Sequence, residues 1–199
     1  LDTPYLRALI SFLNIGMVGF VLASVALRFV FPAVSLEGKS WWALGSAPMG
    51  LWEILWGKFM GGVVPIACVG VVLVWVSNSF LGVDPFVTRL SNVTVFVMAF
   101  TLSGMGVGFS ALFPRFGLEN VAQIQTSPGG ILFMLAALFY VGATLALEAI
   151  LMKSHYFSGR SFGFRPEVLY AIGALVLLNV GAFLTPLVLG KKSLDRADL

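Results

Sequence analysis

The 199-residue chain is 59% hydrophobic and only 11% charged, with a formal net charge of +3. A soluble domain carries roughly 25% charged residues, so this chain has too little polar surface to cover itself in water and reads as an integral membrane protein. Its small positive charge is scattered, which argues against nucleic acid as a partner and for ordinary membrane flanks.

Five apolar runs reach the ~20 residues that a ~30 Å hydrocarbon layer requires. They cover about 6–31, 59–80, 86–113, 129–152 and 167–189. Nothing alternates with the period of two of a barrel strand. The expected fold is an all-α, polytopic bundle of about five transmembrane helices, one transmembrane domain over residues 1–199. The first run is too long for a signal-peptide core and lacks a cleavage site. The chain opens at Leu1 without an initiator methionine, which reads as a processed product or a piece of something longer. The single cysteine, Cys68, lies in the run Val63–Val76 and is expected to be buried packing.

Between the first two runs lies an amphipathic stretch over 36–58. Pro32 ends the preceding helix, because it has no N–H and clashes with the turn before it. Glu37, Lys39 and Ser40 bring polar groups back, and Pro48 breaks the stretch in two. Leu51, Trp52, Leu55, Trp56 and Phe59 then share one helical face, with Glu53 and Lys58 off it. The pattern predicts a short helix along the membrane surface, its tryptophans at headgroup level.

A second stretch over 114–128 is too polar for lipid. Pro114, Gly117, Pro128 and Gly129-Gly130 punctuate it. Leu118 to Ile124 predicts a short surface helix on the same side as 36–58, and Gly129-Gly130 lets the chain re-enter close to its neighbours. The polar loop 153–166 falls on the opposite side. If 36–58 is cytoplasmic, seven of the twelve basic residues share its side, a weak positive-inside bias.

Polar groups at membrane depth are costly without a partner. Glu148, in the last turns of the fourth run, either lines a cavity or serves as a proton site, or it reaches the interface near Lys153 or pairs with Arg7 or Arg89. Asn14 and Asn179 are single amides that suit interhelical hydrogen bonds. Gly104 and Gly108 form a small-xxx-small pair on the third run, a pattern of close helix packing. His155 is the only histidine, so a histidine-rich metal or haem site cannot be built here. No glycine-rich phosphate loop, Gly-x-Ser-x-Gly or Cys-x-x-Cys occurs.

Two stretches resemble a known class. The first is Phe31-Pro32-x-x-Ser35-Leu36-Glu37-Gly38-Lys39-Ser40-x-Trp42, continued by Ser46-x-Pro48 and Leu55-x-Gly57-Lys58. It is similar to the intracellular segment of bacterial ATP-binding-cassette (ABC) exporter permeases of the type-2 class. Leu112-Phe113-Pro114-Arg115-Phe116-x-x-Glu119-Asn120-x-Ala122-Gln123-Ile124, with Ser127-x-Gly129-Gly130, resembles a second segment of the same branch. Elsewhere the agreement is mainly in hydrophobicity.

The resemblance implies that Glu37, Gly38, Lys39, Trp41 and Trp42 form a coupling helix that docks on a separate ABC ATPase subunit. Arg115, Glu119, Asn120 and Gln123 would belong to the second cytoplasmic segment, and Glu148 and Asn14 are the intramembrane polar candidates. It further implies a permease with no catalytic, metal or cofactor site of its own, ATP and Mg being held by the partner. A second permease half or a homodimer partner, the lipid bilayer and the bacterial inner membrane complete the expectation. Members of the class carry more spans per half than the five here, so the chain reads as the C-terminal part of a longer permease. A structural subunit of a larger complex, and an ion-coupled carrier using Glu148 and Arg89, are the competing readings.

Overall fold

The computed structural model describes residues 4–40, 48–118, 120–157 and 166–196. Helix α1 spans Pro4–Phe29 and leads into two 3₁₀ turns, Phe31–Ala33 and Ser35–Ser40. Helices α2 (Leu51–Leu81), α3 (Pro85–Leu112), α4 (Val121–Gln125), α5 (Pro128–Phe157) and α6 (Pro166–Arg196) come next. Five of the six, all but α4, are long and apolar enough to cross a membrane, and no strand occurs among the described residues. The protein is an all-α polytopic membrane bundle.

Local chemistry sets the helix ends. Pro32 sits in the first 3₁₀ turn and cannot supply the N–H that would continue α1. Gly82 closes α2 in the left-handed region at φ +57°, its N–H donating to Asn78 O at 3.1 Å, a conformation glycine adopts without steric cost. Asp84 caps α3, Oδ1 accepting from Phe86 N at 3.3 Å, and Pro85 takes the first helical position.

Helix α3 is the axis of the bundle. Of its hydrophobic stretch 72% is buried, against 6% for α6. Small residues on α3 make this possible. A Cβ on Gly108 would lie 2.5 Å from the Pro186 carbonyl carbon, and one on Gly104 would lie 2.2 Å from the Phe183 ring. Gly190 returns the contact, an added Cβ there falling 2.5 Å from Gly108 O. The Gly104/Gly108 pair is thus a close-packing face, and Gly190 of α6 is its complement. Helices α1, α2 and α3 meet where Gly70 faces Val95 and Leu22, at 2.8 and 3.0 Å from an added Cβ. Towards the 3₁₀ turns, Phe59 packs edge-on against Phe100 and Phe183, at centroid distances of 4.7 and 5.3 Å.

Three expectations are revised. Leu51–Phe59 is no separate surface helix but the first turns of α2, one helix of 31 residues, about 46 Å at 1.5 Å per residue. Nothing between Lys58 and Gly62 breaks it, and Leu55 and Phe59 bury against the bundle instead of facing headgroups. Trp52 and Trp56 do stay exposed. Cys68 is exposed, not buried, because Val63, Ile66, Ala67, Gly70 and Val74 take the inward face of α2. Helix α6 runs on through Lys191-Lys192 to Arg196, past the expected end of the span.

The packing of α3 on α6 gives the first prediction. Gly108→Leu should destabilise the fold by about 1–3 kcal/mol, the range for overpacking a filled interior. Thermal unfolding in detergent reads this as a lowered midpoint. Gly173→Ala, with open space around it, should leave the midpoint unchanged or raise it.

Candidate functional site

The end of the bundle that holds the 3₁₀ turns gathers both amphipathic connections. Two buried serines bind them to each other. Val34 N donates to Ser110 Oγ at 3.2 Å, so the end of α3 satisfies a backbone group of the first connection. Arg115 N donates to Ser35 Oγ at 3.1 Å, so the first connection satisfies a backbone group of the second. Without these, two N–H groups at a membrane boundary would lack the partners that low-polarity surroundings demand.

Glycine at position 38 allows a third contact. Its φ of +34° lies in a region that L side chains rarely adopt, and an added Cβ would come 3.2 Å from Phe116 O. Glu37 Oε1 pairs with Lys58 Nζ of α2, tying the turn to the first turns of that helix. Further round the rim, Gln125 Nε2 donates to Arg28 O at 3.3 Å and Ser193 Oγ to Leu112 O at 3.4 Å. Lys191 Nζ stands 5.5 Å from the centre of the Trp52 ring, within cation–π range. One platform therefore joins α1, α2, α3, α4 and α6.

The candidate residues fall on this platform unevenly. Glu37 and Gly38 are in it, and the Lys39 backbone continues the Ser35–Ser40 turn. Arg115 joins through its backbone N–H while its side chain is exposed. Asn120 caps α4, Oδ1 accepting from Ala122 N at 2.9 Å, and Gln123 is exposed. Trp41, Trp42 and Glu119 lie outside the described residues. The short helix expected over Leu118–Ile124 forms as Val121–Gln125. The Gly129-Gly130 re-entry is as tight as two glycines allow, a Cβ on Gly130 falling 2.0 Å from Gln125 O.

Against known proteins, the chain matches the family model described as "Putative ATP-binding cassette" over residues 1–199. The chain belongs to this family. No curated protein and no solved structure matches it. The relation is to ABC transporters, and the five membrane-length helices make this member a multi-pass membrane protein. In this ABC-family chain Gly38-Lys39-Ser40 has the residue types that end a phosphate-binding loop. Alanine stands at position 33, five residues before Gly38, and the tripeptide lies in a 3₁₀ turn after a helix rather than between a strand and a helix.

The polar groups inside the bundle form two further clusters. Glu148 of α5 is fully buried, and Thr94 Oγ1 of α3 donates to its Oε1 at 2.6 Å. Its Oε2 has no hydrogen-bond partner among the described residues. The expectation that it reaches the interface or leans on an arginine is corrected: its helical position points it at α3, where a threonine holds it. Asn179 of α6 accepts through Oδ1 from Thr101 Oγ1 (2.9 Å) and Tyr140 OH (2.6 Å), joining α3, α5 and α6. This is the interhelical role the sequence suggests for a lone amide. Asn14 makes no such bond through Nδ2, which is buried without a partner among the described residues.

The sequence reading misses the other halves of these bonds. Thr94, Thr101 and Tyr140, and the Ser11–Asn78 bond of 2.6 Å between α1 and α2, carry no local signal, because isolated hydroxyls in apolar runs look alike. Ser35 and Ser110 escape for the same reason.

Replacing Asn179 by leucine should cost about 0.6 kcal/mol per bond lost, the average for interhelical hydrogen bonds in membranes, whose maximum is about 1.7 kcal/mol. Equilibrium unfolding in detergent, with Asn179→Asp as the companion that keeps the acceptor oxygen, measures it. A leucine variant as stable as the parent would remove this cluster from the account of the fold.

Proposed function

We propose that the chain is a transmembrane permease subunit of an ATP-driven ABC exporter in a bacterial inner membrane. A separate ATPase would supply the hydrolysis, and a second permease half or a second copy would complete the pathway. The observation that carries this reading is the platform at one end of the bundle. The 3₁₀ turn Ser35–Ser40 and the residue before it are fixed to α2 through Glu37 and Lys58 and to the end of α3 through Ser110 and Arg115. A force applied to this turn therefore reaches two membrane-length helices without passing through a loose loop. Coupling a soluble motor to a membrane path requires that connection.

The family relation supports an ABC system. The helical architecture, and alanine rather than glycine at position 33, support placing ATP and Mg on the partner rather than here. In this reading Glu37, Gly38 and Lys39, with Trp41 and Trp42, face the ATPase, and Arg115, Glu119, Asn120 and Gln123 border the same contact. Closure of the paired ATPases on ATP would push the platform and reorient α1 and α2 about the break at Pro32.

The test is a pull-down of the full-length protein in mild detergent, with co-purifying subunits identified and ATP hydrolysis assayed. A stoichiometric ATPase should come down, and Glu37→Gln combined with Lys58→Met should weaken its co-purification and lower its turnover several-fold. Salt should weaken the parent towards the double variant, since a partly exposed ion pair is worth at most about 1 kcal/mol. Co-purification of membrane proteins alone, without hydrolysis, overturns the reading in favour of a structural subunit.

A further inference from the structure

Helices α3 and α6 touch backbone to backbone at Gly108 and Pro186 and stay packed towards the Pro85 and Pro166 ends, where Leu90 and Leu175 rest on Leu151, Val168 and Ala171. Two adjoining cavities of about 630 Å³ and 470 Å³ run along the outside of this seam, sharing Val97, Asn179 and Val180 in their walls, with Thr144 and Leu151 of α5 at the base of the larger. Together they form one groove. Its walls are almost wholly apolar, and Val93, Val176 and Val180 remain exposed along it, so it opens sideways to whatever surrounds the bundle. The hydroxyl of Thr101 and the amide of Asn179 are already spent on the cluster with Tyr140. Nothing in the deep part of the groove asks for a polar ligand.

The shallow end differs. Arg89 lines the groove there, exposed, in the second turn of α3. It makes no ion pair among the described residues. A guanidinium near membrane depth needs an anionic partner or must reach the interface. From Arg89 to Thr101, where the groove ends, α3 rises by about 18 Å at 1.5 Å per residue. One leaflet of a ~30 Å hydrocarbon core is about 15 Å deep. The groove therefore has the length of one leaflet, a cation at its headgroup end, and a side open to the bilayer.

We propose that the groove between α3 and α6 is a binding site for an anionic phospholipid of that leaflet, one acyl chain lying along Val93, Val97 and Val180 and the phosphate meeting Arg89. The site is independent of whether the chain couples to an ATPase. It differs from ordinary annular lipid in two respects: the acyl chain lies in a groove lined by α3, α5 and α6, and the headgroup is selected by charge. Zwitterionic lipid fills the groove equally well but leaves the net charge of Arg89 uncompensated.

The experiment places a reporter indole in the wall with Phe96→Trp, an exposed lining position. The protein is reconstituted in phosphatidylcholine vesicles containing brominated phosphatidylglycerol or, at the same mole fraction, brominated phosphatidylcholine. The fluorescence added by the new indole, over that of the five native tryptophans, is recorded. It should be quenched with about fivefold preference for phosphatidylglycerol, the contribution of one basic residue at an anionic surface. Arg89→Gln should bring the preference to unity, and Arg89→Lys should keep most of it. Equal quenching by both lipids with Arg89 intact overturns the proposal. So does absence of quenching by either, which would mean that a second copy or another subunit covers the groove.

Discussion

One helix with a small-residue face makes the rest of this bundle possible. In a bilayer the hydrophobic effect does not drive helices together, because lipid tails are as apolar as leucine, and association depends on close packing and a few interhelical hydrogen bonds. Gly108 lets α3 approach α6 to backbone contact, Gly104 makes room for the Phe183 ring, and Gly106 for the Val30 side chain, 3.0 Å from an added Cβ. Bulky side chains at these positions would separate α3 from its neighbours and remove the geometry on which Asn179, Thr101 and Tyr140 find one another. The polar cluster is therefore a consequence of the glycine packing, and it contributes specificity more than strength.

A second constraint acts where the chain leaves the membrane. Connections in this region cannot expose backbone donors to lipid, and neither amphipathic stretch is long enough to form a sheltering domain. The solution is an exchange, Ser110 serving Val34 and Ser35 serving Arg115. Each connection is held by a side chain from the other or from the helix that leads into it. Neither can move far alone. The Glu37–Lys58 pair and the cation–π contact of Lys191 with Trp52 lie outside this exchange, on more exposed ground, and add orientation at little energetic cost.

Much of this architecture is legible in the residues, because length and hydropathy are properties of a segment and need no partner. The five membrane-length helices, the break at Pro32, the packing use of Gly104 and Gly108 and the helix near Asn120 all arise from composition and local stereochemistry. What the sequence conceals is pairwise. Leu51–Phe59 has an amphipathic pattern that suits a surface helix and equally the protruding turns of a span, and Phe100 and Phe183 decide between them by burying Phe59. Glu148 reads as a cavity-lining acid, an interfacial one or the partner of an arginine until Thr94, 54 positions earlier, is placed beside it. Cys68 shows the limit in the other direction: in a chain this apolar, hydrophobic surroundings in sequence do not distinguish the inward face from the lipid-facing one.

The contact of Pro186 with Gly108 divides α6 into unequal arms. About ten residues, roughly 15 Å of helix, extend from it past Lys191 to Arg196, and about twenty, roughly 30 Å, extend the other way to Pro166. The short arm is attached to the platform through Ser193 and Lys191, while the long arm borders the open groove. Pro186 has no N–H to bond one turn back, so α6 is least rod-like at the residue where it is gripped most closely. The platform arm and the groove arm are thus joined at the point where the helix bends most easily, while the long arm is held separately by Val168 and Ala171 and by Asn179.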